Sequence, residues 1–263
     1  MTTLLRMALR AQRRASAGWA IGLASVAAMY AAFYPSIRES SAEFRGYVEK
    51  LPEAIRELLG GDFTTPAGYL RSETFSILGP VLFLVFAIGV GARAIAGEEE
   101  NRTLDLVLST PVRRRDVLVA KWTSLLLASL ALATTLGLTI AIVGPLFDLR
   151  IAIANLAAAC ISLLLLGLAF GTVALAVGCL TGRRSLAYGI TGAVATISYV
   201  TNVLAQGVEQ LSPLRPLSPF RWYLEPDPLV HGINAASMGV LAAITVVAYS
   251  AAWVSFERRD LRA

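Results

Sequence analysis

The sequence predicts an all-α membrane protein with six transmembrane helices and both termini cytosolic. Composition is the first reason: apolar residues fill 56% of the 263 positions and charged residues only 16%, against about 45–50% and about 25% in soluble domains. The second is segmentation. Apolar residues gather into six runs, 17–34, 74–96, 122–146, 151–180, 186–205 and 233–256, each near or above the ~20 residues that cross a hydrocarbon core. The third is charge placement. Most of the 23 Lys and Arg sit in the N-tail (Arg6, Arg10, Arg13, Arg14), between Arg93 and Lys121, at Arg183-Arg184, and in the C-tail. Short segments rich in Lys and Arg stay inside, which sets the orientation.

Residues 1–16 carry those four arginines among Leu4, Leu5, Met7 and Leu9, the pattern of a basic helix lying on an anionic inner leaflet. The 17–34 run exceeds the about 7–15 residues of a signal-peptide core, so it is expected to be a retained anchor. The segment 35–73 is polar and extracytoplasmic. Phe44, Tyr47, Val48, Leu51, Ile55, Leu58 and Leu59 form one apolar stripe there, ended by Gly60-Gly61, as expected for an amphipathic helix with a glycine C-cap. Within 74–96, Gly89-Val90-Gly91-Ala92-Arg93-Ala94 mimics a dinucleotide fingerprint, but no strand precedes it and the context is a span.

The run 151–180 is too long for one straight crossing, so tilt or an interfacial outer portion is expected. Its Gly167-xxx-Gly171 and Gly178-xxx-Gly182 spacings allow close helix approach. The span 186–205 carries Thr191, Thr196, Ser198, Thr201 and Asn202. Polar groups in hydrocarbon need partners, so these five are candidates for lining a pathway, with packing hydrogen bonds as the alternative role. The segment 206–232 is a second extracytoplasmic stretch. It holds Pro213, Pro216, Pro219, Pro226 and Pro228, with Trp222 and Tyr223 at expected headgroup depth. Short helices dipping back into the outer mouth are expected.

The longest charged island between spans is the cytosolic segment 98–120. Glu98, Glu99 and Glu100 open it, matching the positive end of a helix dipole. Leu104, Val107 and Leu108 recur at i, i+3 and i+4, which gives a short helix one apolar stripe. Thr110-Pro111 reads as an N-cap and first-turn pair, and Arg113, Arg114 and Arg115 follow. Glu98 and Glu99 are expected either to pair with Arg93 or with basic groups on a partner, or simply to match the dipole.

This island resembles the loop between the second and third spans of ABC-2-type permeases, the membrane subunits of a class of ATP-binding-cassette transporters. Acidic residues come first, then Thr103-Leu104-Asp105, three hydrophobics (Leu106, Val107 and Leu108), Ser109-Thr110-Pro111, the basic pair Arg113-Arg114, and Lys121. Arg102 stands where that family usually has Gly. Looser similarity covers the span layout, Ser218-Pro219-Phe220 and Asp227-Pro228-Leu229. The resemblance implies one permease domain over 1–263, with 98–120 as the coupling loop to a separate ATP-binding subunit. The expected contacts with that subunit are Glu98, Glu99, Arg102, Leu104, Val107, Leu108, Pro111 and Arg113. It further implies a dimer with a second copy or a related permease, a bacterial-type inner membrane, and export of lipid-like, drug-like or other small cargo.

Several classes are disfavoured. No G-x-x-x-x-G-K-[ST] occurs, and the only lysines are Lys50 and Lys121, so ATP and Mg are expected on the partner subunit and no cofactor on this chain. His231 is the single histidine, which argues against His-based metal sites and catalytic triads. Cys160 and Cys179 lie in apolar runs and read as small hydrophobes. The arginines bracket apolar runs rather than sharing an exposed face, so nucleic acid is not an expected partner. The remaining alternatives are a membrane scaffold that recruits a cytosolic partner without transport, and a secondary transporter. The latter would normally show mid-membrane ionisable groups and an internal repeat.

Overall fold

The computed structural model describes residues 2–48, 65–104, 112–207 and 209–259, and every regular element among them is helical. The first helix, α1, runs unbroken from Thr2 to Val48. The expected division into an interfacial 1–16 segment and a 17–34 span is therefore absent. Ala-rich sequence has the highest helix propensity and carries the helix straight through. Pro35 sits inside it, and losing one backbone bond is tolerated where neighbouring elements support the helix. The expected apolar stripe beyond Val48, with its Gly60-Gly61 end, lies outside the described residues.

Helix α2 spans Pro66–Glu100. Thr65 caps it by accepting from the Gly68 N–H at 3.1 Å, with Pro66 in the first turn. Two turns widen to π geometry, Arg71–Leu78 and Arg93–Gly97. The first closes on Gly79, where a Cβ would lie 2.3 Å from the Thr74 carbonyl oxygen. Helix α3, Arg114–Val143, ends in a 3-10 turn, Gly144–Phe147, with Asp148 in the left-handed region (φ 59). Helix α4, Ile153–Thr181, is a single rod that ends on Gly182 with φ 66. Helix α5 is Arg184–Gly207. A 3-10 stretch, Glu209–Leu217, leads to the short helices α6 (Pro219–Leu224) and α7 (Pro228–His231), and α8 (Ala235–Arg258) closes the bundle.

Among the described residues, five helices are long and apolar enough to cross a membrane: Thr3–Glu39, Pro66–Glu100, Arg114–Phe147, Ile153–Thr181 and Ala235–Arg258. The sixth expected span corresponds to α5, which is 24 residues long but does not join that set. Its Gly, Thr, Ser, Tyr and Asn residues dilute its hydropathy.

Helices α2 and α4 form the centre, with about two-thirds or more of their apolar windows buried. The small residues of α4 explain how they meet. Gly167 and Gly171 lie against Phe83 and Ala87, Gly178 lies against Ala96, and a Cβ on Gly91 would come within 2.0 Å of the Gly171 carbonyl oxygen. The Gly-xxx-Gly spacing thus serves packing within the chain. Around this pair the outward faces of α3, α5 and α8 stay greasy, with Ile142, Ile197 and Val247 all more than 60% exposed, as suits contact with hydrocarbon.

Candidate functional site

At the end of α2 three successive carboxylates fan outward. Consecutive helical residues point about 100° apart, because a turn takes 3.6 residues. Each glutamate therefore meets a different neighbour. Glu98 Oε1 takes Lys121 Nζ from α3, and Glu99 Oε1 takes Arg259 just beyond α8. Glu100 Oε2 takes Arg184 Nε of α5 at 2.7 Å, while Glu100 Oε1 accepts the Arg184 backbone N–H at 2.9 Å and so caps α5.

The network extends further. Arg259 Nη1 donates to the Cys179 carbonyl in the last turn of α4 at 2.7 Å, an oxygen the helix itself leaves unpaired. Arg114 Nη1 donates to the carbonyls of Arg259 (2.7 Å) and Phe256 (3.3 Å), closing α8. Five helix ends are thus tied at one place. Gly182 turns directly over the Glu99–Arg259 pair, where a Cβ would strike both side chains.

After Glu100 the chain reverses. The Asn101 N–H donates to the Gly97 carbonyl and the Arg102 N–H to the Glu99 carbonyl. Arg102 has φ 56, a left-handed conformation that glycine adopts without strain. This is the position where the resembling family usually has Gly. The reversal sends Leu104 back into the bundle, 1% exposed, in one cluster with Ile95, Val117, Leu118, Leu175, Cys179 and Phe256. That corrects the expectation for Leu104: its side chain is committed to this chain's own core and is not free for a partner. Arg102 and Arg113 are exposed on either side of the segment, Glu98 and Glu99 are half-buried, and Val107, Leu108 and Pro111 lie outside the described residues.

Arg93 does not pair with either glutamate. Its Nε donates to the Gly89 carbonyl at 2.9 Å. Around it lies a cavity of about 350 Å³, walled by Gln12 of α1, Arg93, Glu98 and Asn101 of α2, Lys121 of α3 and Arg184 of α5.

The five polar residues of α5 do not share one wall. Thr191 and Asn202 face inward, fully buried. Thr191 Oγ1 and Asn202 Oδ1 have no hydrogen-bond partner among the described residues. Ser198 and Thr201 are half-buried, Thr196 is exposed, and the Ser198 carbonyl accepts from Ser218 Oγ at 2.8 Å.

The opposite end of the bundle has its own latch. Arg71 Nη1 meets Asp227 Oδ2 at 2.7 Å, and Asn155 Nδ2 donates to the carbonyls of Leu229 and Val230. Tyr223 Oη donates to the Phe75 carbonyl at 2.8 Å. Tyr223 is buried, and burial pushes its phenol well above the ordinary value of 10. Glu225 pairs with Arg221 and Arg215.

Sequence reading missed Arg259, Arg184 and Arg71 as partners. A run of acids at one helix end facing basic residues at other inner ends was the available signal. It could not say which pairs with which.

Residues 3–261 match the family model described as ABC-2 family transporter protein. No curated protein matches the chain.

Proposed function

The chain belongs to the ABC-2 family of transporter proteins, and from that membership and the geometry above we propose that it pairs with a second permease and is driven by a separate ATP-binding subunit. That it is a multi-pass membrane permease of an ABC transporter follows from the family and the apolar helices. The observation that carries the rest is the tie of Glu98, Glu99 and Glu100 to α3, α8 and α5. The segment after α2 is rooted in the bundle by these pairs and by Leu104, while Arg102 and Arg113 stand exposed at its two ends.

In this reading the cytosolic ATPase grips the segment through Arg102, Val107, Leu108, Pro111 and Arg113. Glu98 and Glu99 act from inside as struts rather than as contacts. ATP-driven closure of the ATPases displaces the segment, and the struts, together with Glu100, pass that displacement to α3, α8 and α5 at once. The equilibrium then shifts between two bundle arrangements. The tight α2–α4 contact leaves no room for cargo between them, which supports a pathway at the surface between two permeases. Thr196, exposed on α5, suits such a wall; Thr191 and Asn202 do not. Both termini are cytosolic in a bacterial-type inner membrane, and the cargo is a lipid-like, drug-like or other small compound moving outward.

Arg102→Glu with Arg113→Glu tests the reading. The double variant should insert and purify normally yet lose co-purification with the ATP-binding subunit by about tenfold or more, through repulsion at the interface rim. Undiminished co-purification with unchanged ATPase activity would refute the docking assignment.

A further inference from the structure

The wide turn Arg71–Leu78, at the end of α2 opposite the glutamates, leaves a carbonyl that the helix itself cannot serve. In an α-helix the Phe75 carbonyl would accept from the Gly79 N–H, four residues on. Here that N–H donates to the Thr74 carbonyl instead. The next residue, Pro80, has no N–H to offer. Phe75 is buried, and a buried carbonyl left without a partner is costly. Tyr223 of α6 supplies the missing bond, its Oη donating at 2.8 Å.

The same segment has a second register within reach. If the Gly79 N–H returned to the Phe75 carbonyl, the bond from Tyr223 would no longer be needed. Thr74 Oγ1 is buried with no hydrogen-bond partner among the described residues. In α geometry a threonine hydroxyl reaches the carbonyl four residues back, here that of Leu70. Gly79 belongs to the wide register only, because a Cβ there would strike the Thr74 carbonyl oxygen. Against the α register stands Pro80, whose ring would press on the Ser76 carbonyl. Each register thus relieves one cost and incurs another, which leaves the choice to a contact from outside the helix.

We propose that this turn is a two-register switch, held wide by Tyr223, and that it gates the end of the bundle away from the ATP-binding subunit. Sliding to the α register rotates the chain before the turn by one residue step, about 100°. Arg71 then leaves Asp227, which it meets at 2.7 Å, and Tyr69 leaves the Tyr30 carbonyl of α1, to which its Oη donates at 2.9 Å. Release of one tyrosine therefore frees α2 from α6 and α1 in a single event, while Asn155 keeps α7 on α4. Wide turns of this kind recur at sites that move, and two discrete arrangements are what a gate requires.

The gating role deepens the two-arrangement reading above and rests on it. The switch itself is read on the full-length chain alone, so failure here leaves the permease reading and its docking test intact. Spin labels are placed at Ala67→Cys, before the turn, and at Ile153→Cys, exposed at the start of α4. The buried Cys160 and Cys179 are replaced by alanine, and the label separation is measured by double electron–electron resonance in lipid nanodiscs. With Tyr223 and Gly79 intact one distance is expected. Tyr223→Phe removes the donor and should add a second distance, shifted by up to about 8 Å, the travel of a side chain at ~5 Å radius through that rotation. Gly79→Ala leaves Tyr223 in place but denies the wide register its room, and should add the same second distance. A merely structural Tyr223 would lower the unfolding midpoint and leave the distance distribution unchanged, which overturns the switch. New distances that differ between the two variants overturn it as well. Should Tyr223→Phe fail to fold, Gly79→Ala decides alone, and a single unaltered distance there is fatal.

Discussion

Arg259 is the most heavily committed side chain at the inner end. It holds Glu99 and the Cys179 carbonyl while its own carbonyl accepts from Arg114. Its side chain is 19% exposed and that of Glu99 is 12% exposed, against 52% and 32% for Arg184 and Glu100. Burial decides how much each pair matters. Removing one partner of a buried pair strands the other charge and costs about 3–5 kcal/mol, whereas an exposed pair is worth about 0–1 kcal/mol. Arg259→Ala should therefore lower the unfolding midpoint of the purified protein by many degrees, and Arg184→Ala by a degree or two. Similar losses from both would show that the ranking by burial is wrong. Arg102 belongs to the same scale. An L-residue in the left-handed region carries about 1–2 kcal/mol of strain, and the reversal that buries Leu104 is the structural gain standing against it.

At the scale of elements, the α2–α4 contact is the tightest in the bundle and glycine sets it. A Cβ on Gly91 would overlap the Gly171 carbonyl oxygen, which is backbone and has nowhere to go, so Gly91→Ala must push the helices apart. A cost of about 1–3 kcal/mol is the usual range for such overpacking. Gly189 and Gly192 on α5 have open space around them. Alanine there removes only the entropic weakness of glycine in a helix, a gain of up to about 1 kcal/mol. Thermal unfolding should fall for Gly91→Ala and hold or rise for Gly189→Ala. A fall of equal size at both positions would remove close approach as the explanation. The Gly-xxx-Gly pattern was legible in the sequence, but its partner helix was not. The spacing tells that a face is small, and only three-dimensional packing tells what lies on it.

Across the whole molecule, the inner end is tied by a dense ion-pair network and the outer end by the Arg71–Asp227 and Asn155 links. The bundle is thus tied at both ends, and the segment proposed to meet the ATP-binding subunit leaves from one of them. The orientation is open to direct measurement. A fluorescent protein fused after Ala263 should fold and fluoresce, while alkaline phosphatase fused at Arg150 should be active, since the first needs the cytosol and the second the opposite side. The reverse result at either position would invert the assignment of the coupling segment to the cytosol.

The sequence by itself determined the membrane class, the presence of several long apolar helices, and the acidic-to-basic island on which the family resemblance rests. Those are local properties: a run of apolar residues or a glutamate triplet reads the same whatever the rest of the chain does. Tertiary structure alone decided that α1 runs unbroken through Pro35, that Leu104 turns inward, and that each glutamate has its own base. The partners of Glu98, Glu100 and Glu99 lie 23, 84 and 160 residues away in the chain. Nothing in a linear pattern distinguishes one distant cation from another until packing brings it within reach.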